Sequence, residues 1–255
     1  MLKDWPRSYY RHDGGDPFLF FVVYGAIDLK SPLSRTSYRS EGLPDGMELM
    51  HYGPEQHAEV VSGFREGFLW DRFIESDSEV SAQVGYASEC VVLRGVPTDS
   101  SNLNYLRDTI GLLTHFLDQG GLCVYDPQMF HWWKPEEWRE RIFAPDAPVP
   151  RHQVVILTSS QEDANLTWFH TRGLRKFGRP DLSIRDVPQS SHLAIIDLCN
   201  RLIEQQAFGG IIPEGQRIQM SSLPEGMTCH HAGDLDDPDF NNVHVEIRWP
   251  SATIA

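Results

Sequence analysis

Positive charge is scarce in this chain. Lys and Arg total 22 against 36 Asp and Glu, a formal net charge of −14 over 255 residues. That balance repels phosphate backbones and anionic lipid heads, so general nucleic-acid or membrane-surface binding is not expected. The same field attracts basic proteins and cationic ligands. Cysteine is also scarce: Cys90, Cys123, Cys199 and Cys229 form no Cys-x-x-Cys pair. The first three lie in apolar runs and read as buried, reduced thiols of a cytoplasmic protein. Long apolar runs are missing, and Met1 to Pro6 contains no apolar signal region. No membrane span is therefore predicted. Specific catalytic signatures are missing too: there is no Gly-x-Ser-x-Gly elbow and no His-Glu-x-x-His.

What is present is ordinary globular composition, 40% hydrophobic and 23% charged. No Ser/Gly/Pro linker divides the chain, so residues 1–255 read as one domain, with halves 1–160 and 161–255 sharing a core. Phe18 to Tyr24, Glu89 to Val96, Leu122 to Tyr125 and Val154 to Leu157 read as buried strands of one sheet. Residues 30 to 54, broken by prolines and glycine, read as a long loop with one short strand. Pro54 opens a helix carried by Val61, Phe64 and Phe68 to about Ser76. Leu103, Leu106, Ile110, Leu113 and Leu117 lie on one helical stripe, capped by Ser101 and stopped by Gly120-Gly121. Pro135 starts a further helix, and His192 to Gln205 is another.

Strand patterns follow at Leu166 to Phe169, Leu182 to Val187, Gln216 to Met220, Met227 to His230 and Asn242 to Trp249. In the last, Val243, Val245, Ile247 and Trp249 share one face and His244, Glu246 and Arg248 the other. The fold class is α+β: a mixed, largely antiparallel sheet with helices packed on it.

Two clusters carry chemistry. The first is a basic turn between two strands, holding Arg172, Arg175, Lys176 and Arg179 among Gly173 and Gly178. Its functional reading is an exposed site for an anion or an acidic partner segment, since guanidinium groups grip carboxylate or phosphate two-pronged. Its structural reading is pairing with the chain's own carboxylates, such as Asp181 and Asp186. It is not a phosphate-binding P-loop, because Arg179-Pro180 follows the second glycine. Thr171, Gly173, Phe177, Gly178, Pro180 and Asp181 together resemble a motif of a bacterial domain family of unknown function. The resemblance covers residues 168–186 and implies no activity.

The second cluster is C-terminal: His230, His231, Asp234, His244 and Glu246, with Cys229, Asp236, Asp237 and Asp239 nearby. Imidazole and carboxylate are zinc ligands, and His244 and Glu246 point the same way on one strand. The Asp-rich loop lacks the calcium-loop pattern. Its structural reading is a solvated acidic turn beside a polar strand face. Ser159 to Asp163 follows a strand without a nucleophile elbow. Phe130 to Trp133 with Trp138 is an aromatic patch that reads as core or as a partner anchor.

Two functional readings stand at this point. One is a non-enzymatic protein-binding module without a cofactor, of the immunity-inhibitor or scaffold kind, with a basic protein as partner. The other is a metal-dependent hydrolase using zinc or a similar ion on the C-terminal cluster.

Overall fold

The computed structural model describes residues 2–55 and 57–250. The fold is α+β, with two five-stranded sheets among the described residues. The chain divides into two compact units: residues 2–6, 18–98 and 102–149 form the first, and residues 7–17, 99–101 and 150–250 the second.

The first unit contains β1 (Leu19–Tyr24), α1 (Arg35–Tyr38), β2 (Met47–Tyr52), α2 (Ala58–Gly63), α3 (Phe68–Ser76), α4 (Ser78–Tyr86), β3 (Cys90–Gly95), α5 (Asn104–Asp118), β4 (Cys123–Asp126), β5 (His131–Trp133) and α6 (Pro135–Glu137), which runs into a π turn. Its sheet has the order β2-β3-β1-β4-β5 and is antiparallel throughout. The apolar run of β1 explains its central place, because both of its faces are buried. Val22 and Tyr24 join a core with Val61 of α2, Phe73 of α3 and Val84 of α4. On the other face Phe21 meets Trp138, whose Nε1 donates to Thr114 of α5 at 2.9 Å.

The aromatic patch is core. Trp132 stacks on Tyr125 at 4.2 Å and on Phe73 at 4.9 Å. Leu106, Ile110 and Leu113 of α5 are buried, as their spacing predicts, but burial extends to every residue from Tyr105 to Leu117. The polar members of this stretch survive by internal bonding: Ser40 Oγ donates to Asp108 O, and Arg107 holds the Asp108 carboxylate. Ser101 is not the cap; the Asn102 side chain accepts from the Asn104 N–H. The single helix expected from Pro54 to Ser76 is two, α2 and α3. Gly67 breaks them at a positive φ of 76°, and Asp77 then caps α4 through the Val80 N–H.

The second unit contains β6 (Val155–Ser160), β7 (Leu166–Arg172), β8 (Asp181–Pro188), α7 (His192–Ala207), β9 (Thr228–Ala232) and β10 (His244–Arg248). Its sheet order is β6-β7-β8-β10-β9, with β8 and β10 parallel and the other pairs antiparallel. The Val154 segment thus belongs to this sheet and not to that of β1. Phe169, Ile184, Val245 and Ile247 are buried, and Ile195, Leu198, Cys199 and Leu202 line the inner side of α7. The strand expected at Gln216 to Met220 is an isolated bridge from Arg217 to Thr228. No described helix is long and apolar enough to cross a membrane.

Leu113 has no solvent exposure at the centre of α5. Leu113→Ala should destabilise the protein by about 2–5 kcal/mol, read as a lowered urea midpoint with an unchanged slope.

Candidate functional site

The basic turn folds inward. After β7, Gly173 bends the chain into a 3-10 turn over Leu174–Phe177, and Gly178 bends it again into β8. Gly178 adopts φ 64°, and a Cβ there would lie 1.9 Å from the Gly15 carbonyl oxygen, so only glycine fits. These bends drive the cations into the unit. Lys176 is fully buried and its Nζ donates to Gln153 O at 3.0 Å. Arg179, 2% exposed, donates to the carbonyls of Gly178, Gly209 and Gly210 and faces Asp99 at 3.4 Å. Arg172 is buried near Asp181, Asp237 and Asp239. Arg175 is half-buried and donates to Asn241 O at 2.6 Å.

The expectation of an exposed anion site on Arg172, Arg175, Lys176 and Arg179 is thereby corrected. Carbonyl groups of neighbouring loops supply the acceptors, and three of the four side chains are closed to solvent. Of the motif residues, Thr171 Oγ1 donates to Asp181 and accepts from the Leu182 N–H. Asp181 also accepts from Asn242 Nδ2 and the Leu174 N–H. Burial raises the Asp181 carboxyl to about 6, against these bonds and the charge of Arg172, which lower it.

The C-terminal cluster is only partly gathered: register keeps His230, His244 and Glu246 on one face of the sheet and alternation turns His231 away. Glu246 of β10 lies opposite His230 of β9, and His244 lies opposite Ala232. His231 falls between and points to the other face, where its Nε2 meets Ile212 O at 2.7 Å. His230 pairs with Glu214 at 2.7 Å, and Glu246 pairs with Arg248 at 2.6 Å. His244 stacks on Phe240 at 4.2 Å, with Asp237 at 3.7 Å. Asp234 accepts from the Asp236 N–H in a local turn. Among the described residues no three His, Cys, Asp or Glu side chains are grouped to hold a metal ion. The zinc set of His230, His231, Asp234, His244 and Glu246 is therefore corrected: alternation along β9 removes His231, and His230, His244, Glu246 and Asp234 each engage a different neighbour.

No family model, curated protein or solved structure matches the chain. Its site must be read from its own surface.

The helical segment of the first unit supplies one. Residues 55–89 hold eight acids (Glu55, Glu59, Glu66, Asp71, Glu75, Asp77, Glu79 and Glu89) against Arg65 and Arg72 alone. Arg65 is withdrawn, because its Nη1 donates to the carbonyls of Val84, Gly85 and Ala87. Leu69, Trp70 and Phe73 turn α3 toward the core, which leaves Phe68, Asp71 and Glu75 on its outer side at three- and four-residue spacing. Phe68 is 70% exposed, and Tyr86 at the end of α4 is 90% exposed. Ile74 is exposed beside them in sequence. Glu66, Asp71, Glu75 and Glu79 are exposed as well. Sequence reading passed over this surface because Phe68 fitted the apolar helical spacing and was assigned inward. The usable signal was Gly67, which shifts the helical phase before Phe68.

Because the folded state holds the Asp181 proton more tightly than its ordinary 3.8, folding stability should fall as pH rises from about 3.8 through about 6. Asp181→Asn should remove that component. Urea midpoints followed across this range should show a smaller pH slope for the variant than for the wild type, whatever its absolute stability.

Proposed function

We propose that the protein is a non-enzymatic binding module that docks a basic protein on the outer side of α3 and α4, as an inhibitor or scaffold does. One observation carries this reading: Phe68 and Tyr86 stand exposed within a segment whose exposed charges are nearly all negative. Large aromatic side chains are the usual anchors of protein interfaces, where few residues supply most of the affinity. A surrounding field of one sign accelerates encounter with a partner of the other and rejects partners of the same sign. Arg72, the one exposed cation among the segment's described residues, lies over the Phe68 ring at 5.7 Å. Lys134 is engaged by Asp77 at 2.9 Å.

The test is comparative capture from a cell extract. The wild type, a Phe68→Ala/Tyr86→Ala variant and an Asp71→Lys/Glu75→Lys variant are immobilised, with folding of each checked by circular dichroism. A basic protein retained by the wild type and lost by at least about tenfold from both variants is the expected result. Steeply weaker retention at raised salt should accompany it. Retention that is equal across the three baits, or confined to acidic proteins, would overturn the reading.

A further inference from the structure

The second sheet carries on one face a row of side chains that the binding surface on α3 and α4 does not use. Ser183 of β8 lies opposite both His170 of β7 and Glu246 of β10, so these three share a face. Two residues further along β8 and β10 stand Arg185 and Arg248, both exposed. A cavity of about 320 Å³ opens there, lined by Ser183, Arg185, Asp186, Glu246, Arg248 and Trp249. That volume suits a small molecule.

Arg185 is held by an aromatic ring. Its guanidinium carbon lies 4.1 Å over the Trp168 ring. Trp168 is itself fixed: its Nε1 donates to Ser183 Oγ at 2.9 Å, and its ring stacks on His170 at 4.1 Å. Stacking fixes the plane of a guanidinium without consuming its N–H donors. Among the described residues no acceptor takes a hydrogen bond from the Arg185 side chain, and no carboxylate forms an ion pair with it. What distinguishes Arg185 is the fixed ring beneath it. The neighbouring acids are already engaged. Glu246 accepts two bonds from Arg248, at 2.6 and 2.9 Å. Asp186 accepts from Gln161 Nε2 at 3.1 Å and returns its N–H to Gln161 Oε1 at 2.8 Å.

The backbone is also held there. Asp186 adopts φ 56°, a left-handed conformation that is uncommon for a residue with a side chain, and the two Gln161 bonds clamp it. Trp249 Nε1 donates to Arg185 O at 2.7 Å and sets an indole wall beside the cavity. A fixed fork of donors, an aromatic wall and an open volume meet at one point.

We propose that this cleft binds a small molecule bearing an oxyanion, a carboxylate or a phosphate, which Arg185 grips two-pronged while the rest of the ligand lies against Trp249. Arg248 lines the same cleft with its charge held by Glu246, so Arg185 is the cation that meets the ligand. The site is independent of the docking surface on α3 and α4.

The experiment is a titration of isotope-labelled full-length protein with inorganic phosphate and, separately, with benzoate, at constant ionic strength, followed through backbone amide and indole N–H resonances. The expected result is saturable shifts confined to Ser183 to Asp186 and Glu246 to Trp249 with at least one probe. Saturation by phosphate alone assigns a phosphoryl ligand, and by benzoate alone a carboxylate. Arg185→Ala should weaken the binding by at least about tenfold. Arg185→Lys should not restore it, since an ammonium lacks the planar fork. Arg201→Ala, at an exposed arginine paired with Asp197, should leave it unchanged. Shifts scattered over the surface, no saturation with either probe, or an Arg185→Ala variant that binds as the wild type does would each overturn the proposal.

Discussion

The second unit depends on two buried guanidinium groups around one carboxylate. Arg7 and Arg179 both face Asp99. Arg7 also donates to Ala207 O and Phe177 O, and Arg179 to Gly209 O and Gly210 O. These acceptors come from the end of α7 and from the turn before β8, while the donors come from residue 7 and residue 179. Segments far apart in sequence are thus tied by one polar knot. Asp99 and the carbonyl dipoles together stabilise the two cations. Loss of one partner would leave a buried charge uncompensated, which is strongly destabilising. Gly14 belongs to the same constraint, because a Cβ there would lie 1.9 Å from Arg179 Nη1.

This knot explains why the basic turn misleads when read as a string. Local sequence shows four cations between glycines, and exposure is the ordinary fate of a turn. The deciding acceptors are backbone carbonyls of Gln153, Gly209, Gly210 and Asn241, which carry no signature in sequence. The readings that held depend on periodicity alone. Alternation in β10 buries Val245 and Ile247, and helical spacing in α5 buries Leu106, Ile110 and Leu113. Even there, burial of Thr109, Thr114 and His115 on the remaining sides of α5 was invisible, because it requires partners such as Ser31 and Trp138.

The C-terminal cluster failed for a different reason. A metal site needs at least three ligands to converge, and although register sets Glu246 opposite His230, each is paired elsewhere, with Arg248 and Glu214. With Glu246 opposite His230, a shift of one residue would have exchanged every face. The register leaves His231 on the far side and lets Glu214, sixteen residues before His230, claim that imidazole first. Glu214 lies in a segment without regular structure, so no pattern pointed to it. The helical surface on α3 and α4 was missed through phase: one glycine at a positive φ was enough to turn Phe68 outward.

Charge is segregated between interior and surface. Arg7, Arg107, Arg172, Lys176 and Arg179 are buried, against the carboxylates Asp108, Asp126 and Asp181. Burying more cations than acids leaves the exposed side chains with a larger excess of carboxylates than the chain as a whole. Many cations that remain outside are paired locally, as Arg201 is with Asp197 and Arg139 with Asp118. One consequence follows from this asymmetry. The exposed acids of α3 and α4 meet little opposing charge from their own segment, which suits attraction of a basic partner. Arg185 differs from the other exposed cations in its setting and not in its charge: a fixed indole holds its guanidinium at the mouth of a cavity, which is the geometry that gripping an external oxyanion requires.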